Sequence, residues 1–366
     1  MKDKPMKNLL VKIFVTMILA GMFLPASVSA QSEAGGIFLL ISPGARAGGM
    51  GEAHAAVAND AYASYWNPAG LAFLEDQEIA AMHVNWLPGL ADDLYYEFLA
   101  YRNSFEGIGH FGANFTYLSL GEQIQTGNSP QEIDRFYSYM WNASVSYGYP
   151  LSQTSAIGAN VKLFRQFLAP QESSSALDTL GQDGASTDFA VDLAYLNKRF
   201  LTDRLALGLV LSNMGPNISF IDENRADPPP TTFRLGLKAH VVKQDKHDLN
   251  VVYDVSKLLA ARDDNGEPQP FFTAIFTSWF DDPADEEFAQ LMHNFGMEYW
   301  YNRMLALRIG GFYQESGEFR TTNNLPIPTF GAGIRYQNYG FDIGYVAGDN
   351  QHPLNSTLRF SLNITF

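Results

Sequence analysis

The chain of 366 residues has no cysteine, and its 39 acidic residues outnumber its 24 lysines and arginines, for a net charge of −15. Without cysteine there are no disulfides to staple the fold, so stability must come from extensive burial or from closed backbone pairing. Without a basic stripe there is nothing to neutralise phosphates, which excludes a nucleic-acid partner. Beyond the first thirty residues no apolar run approaches the ~20 residues that a spanning helix needs. The seven histidines (His54, His83, His110, His240, His247, His293 and His352) show no H-x-x-x-H or H-E-x-x-H spacing, and no G-x-S-x-G elbow is present. A nucleotide fingerprint also fails. After Gly49-Met50-Gly51, His54 stands where a third glycine is required, and no Gly-Lys-Ser/Thr follows. No enzyme, cofactor or metal centre is expected on these grounds.

What is present points to the bacterial envelope. Lys2, Lys4 and Lys7 precede an apolar core from about Ile13 to Leu24, and Val28-Ser29-Ala30 supplies small residues for cleavage. Residues 1–30 therefore read as a secretory signal peptide. From residue 76 onward apolar residues recur with period two. Tyr137, Tyr139, Trp141, Ala143, Val145 and Tyr147 alternate with Ser138, Asn142, Ser144 and Ser146. At the end of the chain Leu358, Phe360, Leu362, Ile364 and Phe366 alternate with Arg359, Ser361, Asn363 and Thr365. Such ribbons have one apolar and one polar face, and a tilted strand of about 9–11 residues spans a bilayer.

Fourteen strands are predicted, starting near 76, 93, 108, 135, 154, 185, 203, 230, 247, 293, 304, 328, 339 and 356. Short connections alternate with long ones at about 120–134, 168–184, 214–229, 258–292 and 315–327, whereas 87–92 breaks that pattern. Phe271–Thr277 is assigned to the longest outer connection rather than to a fifteenth strand. An even strand number with all long loops at one end is the pattern of an outer-membrane barrel. The expectation is an all-β membrane protein, a ~14-stranded antiparallel transmembrane β-barrel over 76–366. Phe360, Leu362, Ile364 and Phe366 are its expected C-terminal insertion signal.

Residues 31–75 have no place in such a wall. The stretch Ser42–Ala72, "SPGARAGGMGEAHAAVANDAYASYWNPAGLA", is rich in Gly and Ala, which permit close backbone approach and turns. It reads as a plug packed on the inner wall, because a fourteen-stranded bore must be water-filled or plugged. Its motif residues are Ser42, Pro43, Gly44, Arg46, Gly48, Gly49, Met50, Gly51, Glu52, Asn59, Asp60, Asn67, Pro68, Ala69 and Gly70. Glu52–Ala63 is expected to be helical, with Asn59-Asp60 as a break, and Asn67 to cap a turn. Arg46, Glu52 and Asp60 need partners, for which parity suggests Lys162, Asp192 or Arg234. His83 and His110 are expected to face the lumen. The acidic runs Asp263–Glu267 and Asp281–Glu287 read as solvated loop rather than calcium site, and the second run with Phe288–Met292 as a short outer helix.

The order of residues 42–72 resembles the N-terminal signature of the PorV/PorQ family, within the barrels related to the fatty-acid transporter FadL. "LVLSNMGPNISF" (Leu209–Phe220), "PPPTTFRLGL" (Pro228–Leu237) and "NFGMEYWYNRMLALRIGGFY" (Asn294–Tyr313) extend the likeness over nearly all of the expected mature chain. The resemblance implies a plugged barrel in the outer membrane, in contact with its lipid. It further implies a role in type IX secretion, with exported cargo proteins and other secretion components as partners. The competing expectation is a FadL-like uptake channel for a hydrophobic ligand such as a long-chain fatty acid.

Overall fold

The computed structural model describes residues 34–87, 91–126, 129–171, 183–220, 226–263, 265–317, 319–321, 325–348 and 356–366. The expected signal peptide, 1–30, lies outside the described residues. Fourteen strands form one closed antiparallel barrel. They are β1 (Glu78–Asn85), β2 (Leu94–Phe105), β3 (Gly109–Thr126), β4 (Glu132–Pro150), β5 (Ser155–Ala169), β6 (Gly184–Asn197) and β7 (Leu205–Met214). There follow β8 (Thr232–Lys243), β9 (His247–Leu258), β10 (Met292–Tyr301), β11 (Leu305–Tyr313), β12 (Ile327–Tyr336), β13 (Tyr339–Val346) and β14 (Thr357–Thr365). Each pairs with its sequence neighbour, and β1 closes on β14 with Ile79 opposite Ile364. Closure leaves no strand edge unpaired.

The period-two pattern decides which face each residue takes. In β4 the parity of Tyr137 and Val145 is exposed, whereas Ser138, Asn142, Ser144 and Ser146 are buried. In β14 Leu358, Phe360 and Leu362 face outward and Arg359, Ser361 and Asn363 inward. In these strands the wall is apolar outside and polar within, as a lipid-embedded barrel requires, whereas in β1 and β2 Met82, Val84, Tyr96 and Phe98 face inward. Among the described residues no helix is long and apolar enough to cross a membrane.

The connections at 106–108, 151–154, 198–204, 244–246, 302–304 and 337–338 share one end with the β1–β14 junction, where the N–H of Phe366 donates to the Gln77 carbonyl. Apart from 127–131 between β3 and β4, the connections at the other end are longer. Two expectations change. The loop expected at 120–134 is mostly strand. A bulge between Ser119 and Glu122, with Gly121 at φ 74°, lets β3 and β4 continue as a paired arm. At ~3.3 Å per residue their 18 and 19 residues outrun a ~30 Å hydrocarbon layer. His83 faces outward, pairing with Glu97 and Asn85, because its parity in β1 is that of Ile79. His110 does face inward, its Nδ1 3.2 Å from the Leu74 carbonyl. Phe271–Thr277 lies in the connection between β9 and β10, as expected, and forms a short helix there that was not foreseen. The outer helix expected over 281–292 forms at Ala284–Ala289, while Met292 opens β10.

Candidate functional site

Residues 34–74 lie against the inward face of the barrel. They contain 3-10 turns at Ile37–Leu40 and Pro68–Phe73 and short helices at Ala45–Gly48 and Ala63–Trp66. The helix expected over 52–63 does not form, because the wall supplies the partners that a helix would. The Asp254 carboxylate accepts the N–H groups of His54 and Ala55 at 2.9 Å each. The N–H of Gly51 donates to Thr329 Oγ1, and Asn294 Nδ2 donates to the Gly51 carbonyl. Glu52 takes φ 63°, outside any right-handed helix.

Glycine sets how closely the segment can approach. Four cross-strand glycine pairs line the inward face: Gly148 with Gly158, Gly208 with Gly236, Gly296 with Gly310, and Gly331 with Gly344. Pro68 to Ala72 sit on the first pair, Ala55 and Ala56 on the second, Met50 and Gly51 on the third, and Gly49 and Ala45 on the fourth. At every one of these eight glycines a Cβ would fall at or within 3.0 Å of an atom of the segment. Eight strands therefore receive the chain backbone to backbone. Apolar side chains fill the remainder. Phe38 meets Phe164, Tyr62 stacks on Phe98, and Trp66 donates its indole N–H to the Pro43 carbonyl.

Asn67 does cap a turn, as expected, and it does more. Its Oδ1 accepts from Ala69 N–H at 3.1 Å, while its Nδ2 donates to the carbonyls of Ala55 and of Tyr195 in β6. One buried side chain ties two turns of the segment to the wall.

The buried charges form closed sets. Arg46 grips Glu298 with two hydrogen bonds (2.8 and 2.9 Å), and reaches Asp60 at 3.0 Å and Asn59 at 2.8 Å. Glu298 also accepts from Arg308, which bonds Asp342, which in turn holds Arg335. Glu52 pairs with Arg359 at 2.7 Å, and Arg359 donates to the Ser42 carbonyl. Burial pushes the Asp60 carboxyl upward, but His54 and Arg46 beside it outweigh that and hold it well below the usual carboxylate range. Each buried charge of the segment thus has an opposite charge in reach, as the cost of burying it demands.

Of the motif residues, all are buried except Asn59. The partners expected for them differ. Lys162 and Asp192 pair with each other at 2.8 Å, and Lys162 also bonds Asn213. Arg234 reaches the Glu52 carbonyl rather than its carboxylate, and approaches Asp254 at 3.8 Å. The partners are instead Glu298, with Arg308 and Asp342 beyond it, Asp254, and Arg359, whose place on the polar parity of the last strand is evident from the sequence alone. Their signal is a charge at an inward parity of a barrel strand.

In the outer connection, carboxylate oxygens of Asp281, Asp282 and Glu287 lie within 4.8 Å of one another. Two of the three already have protein partners: Lys257 binds Glu287 and Gln290, and Gln290 donates to Asp282 at 2.7 Å. Partial burial first, and Glu287 second, push the Asp281 carboxyl up to about 6. His247 and His293 bond Tyr299 and Tyr253 at 2.6 Å each.

Solved barrels share this architecture. The toluene transporter TbuX of Ralstonia pickettii aligns with 90% of this chain and 99% of its own at 14% identity, with a TM-score of 0.55. The toluene transporter TodX of Pseudomonas putida aligns with 93% of this chain and 97% of its own at 14% identity and a TM-score of 0.51. The monoaromatic hydrocarbon channel CymD covers 89% and 97% at 13% identity, with a TM-score of 0.52. At such identities the likeness is one of fold. No curated protein sequence matches the chain. The family model described as type IX secretion system protein PorV matches residues 30–264. This chain, a fourteen-stranded outer-membrane barrel, therefore belongs to the PorV family of the type IX secretion system.

Proposed function

We propose that residues 34–74 are a fixed plug, and that the protein works by presenting its outer connections to exported cargo and to other secretion components rather than by conducting a solute. The observation that carries this reading is the seating of one segment on four glycine pairs, with its charges closed into buried ion pairs. Opening the bore along that segment breaks both pairs that tie it to the wall, Arg46 with Glu298 and Glu52 with Arg359, and each broken buried pair costs about 3–5 kcal/mol. The outer connection between β9 and β10 adds support: Phe272, Phe276, Phe280 and Phe288 are all exposed there. Apolar groups clustered on one exposed loop suit a protein partner. Under the same proposal residues 1–30 are removed on export, and Phe360, Leu362, Ile364 and Phe366 guide insertion into the outer membrane.

The test is deletion of the gene followed by protease shaving of intact cells. Cargo is expected to vanish from the surface and accumulate in the periplasm, and the wild-type gene is expected to restore display. Unchanged display, together with lost uptake of a hydrophobic solute, would instead establish an uptake channel.

A further inference from the structure

A cavity of about 410 Å³ opens at the short-turn end of the barrel. Its walls are the 151–154 and 198–204 turns and the end of β8, and its floor is Ala56, Val57 and Asn59 of the N-terminal segment. Five cations line it: Lys198, Arg199, Arg204, Lys238 and Lys243, against one carboxylate, Asp203. This reverses the balance of a chain in which acids outnumber bases 39 to 24.

The pairing reverses too. Deeper in the barrel Arg46, Arg308, Arg359 and Lys162 each hold a carboxylate at 3.0 Å or less. At this mouth Asp203 reaches Arg199 only at 4.0 Å, with both side chains exposed. Among the described residues no carboxylate comes within 4.0 Å of Lys198, Arg204, Lys238 or Lys243. The nearby Asp248 is engaged by His240 at 3.3 Å. Lys198 lies over the Phe73 ring at 3.9 Å, which orients its ammonium without neutralising it. Burial first and Arg199 second draw that ammonium below the usual lysine range. Clustered like charges repel, and an anion placed among them removes the repulsion. Arginine forks and lysine point charges together suit a phosphate, and the volume falls in the range of small-molecule sites.

We propose that this cavity binds the phosphate group of a periplasmic organic phosphate or of an anionic lipid headgroup. The test uses the full-length barrel in zwitterionic detergent at low ionic strength, titrated calorimetrically with pyrophosphate. Binding is expected, and the Arg204→Gln/Lys238→Gln variant should weaken it at least ~10-fold, as loss of two charge-assisted contacts implies. Arg262→Gln, at the opposite end of the barrel, should leave it unchanged. Heat-modifiable migration on gels checks that each variant is folded. Should the double variant fail to fold, Lys243→Gln, on an exposed strand end, is expected to weaken binding in the same direction. Repeating the titration in phosphatidylcholine nanodiscs with and without phosphatidylglycerol separates the two sources. Competition by the anionic lipid assigns a headgroup, and its absence assigns a soluble phosphate. No heat of pyrophosphate binding, or equal affinity in the folded variants, overturns the proposal.

Discussion

The bore around Arg46 and the outer connection between β9 and β10 both gather carboxylates, and they treat them in opposite ways. In the bore Asp60, Glu298 and Asp342 alternate with Arg46, Arg308 and Arg335, so each anion meets a guanidinium at 2.6–3.0 Å. In the outer connection Asp281, Asp282 and Glu287 crowd upon one another, and of the three only Glu287 pairs with a cation, Lys257. Packing follows the same division. The bore seats backbone on glycine, while the connection leaves four phenylalanines exposed. Burial makes pairing compulsory and geometry rigid; exposure lets water finish the solvation and leaves apolar surface to meet a partner.

The largest effect that breaks this contrast is expected from Arg46→Ala. It leaves Glu298 and Asp60 buried with one guanidinium removed, at a cost of about 3–5 kcal/mol. Chemical denaturation of the detergent-solubilised barrel, or exposure of the segment to protease, reads that loss. A denaturation midpoint equal to wild type would show that charge does not lock the bore. Gly158→Val comes next. Its side chain would enter the backbone of Ala69, and overpacking of this kind costs about 1–3 kcal/mol or more. The matched change in the outer connection is Gly266→Ala, which meets nothing within 4 Å and bears only the strain of φ 83°, about 1–2 kcal/mol. Equal losses at the two sites would erase the difference between seat and loop. Asn67→Ala follows. It removes the cap on Ala69 and leaves the Ala55 and Tyr195 carbonyls short of a donor, about 1–2 kcal/mol by thermal unfolding.

The wall was far more legible than the site within it. Each predicted strand start lies within three residues of the observed one, because a period-two pattern is set residue by residue and Tyr137 or Ser138 declares its face alone. The segment was legible as something packed, through its Gly and Ala content. Its partners were not. Glu52 and Arg359 are 307 positions apart, and only barrel closure brings them together. Parity could name Lys162 and Asp192 as inward charges, yet adjacency of β5 and β6 gives them to each other. The expected helix over 52–63 failed for the same reason: local propensity is weak against wall groups such as Asp254 that accept the backbone N–H directly. The glycine pairs could have been found, since a glycine in mid-strand at an inward parity marks a close backbone approach.

The smallest effect sharpens the comparison through pH. Asp60 and Asp281 are the same residue type with opposite displacements, down in the bore and up to about 6 in the outer connection. A carboxyl raised on folding contributes stability that is fully present below the ordinary carboxylate range and is lost as pH rises through about 6. A carboxyl lowered on folding contributes above the ordinary range and loses its contribution only as pH falls toward its depressed value. Between pH 4 and 7 the two regions should therefore diverge. Amide exchange in the Ala284–Ala289 helix, corrected for its intrinsic pH dependence, should show protection falling modestly as pH rises through about 6. Exchange at Tyr62, whose N–H donates to Asp60 Oδ1 at 3.1 Å, should stay constant over the same range. The Asp281→Asn variant should flatten the helix profile and leave that of Tyr62 untouched. Protection that falls equally in both regions would mean that the connection and the bore open together.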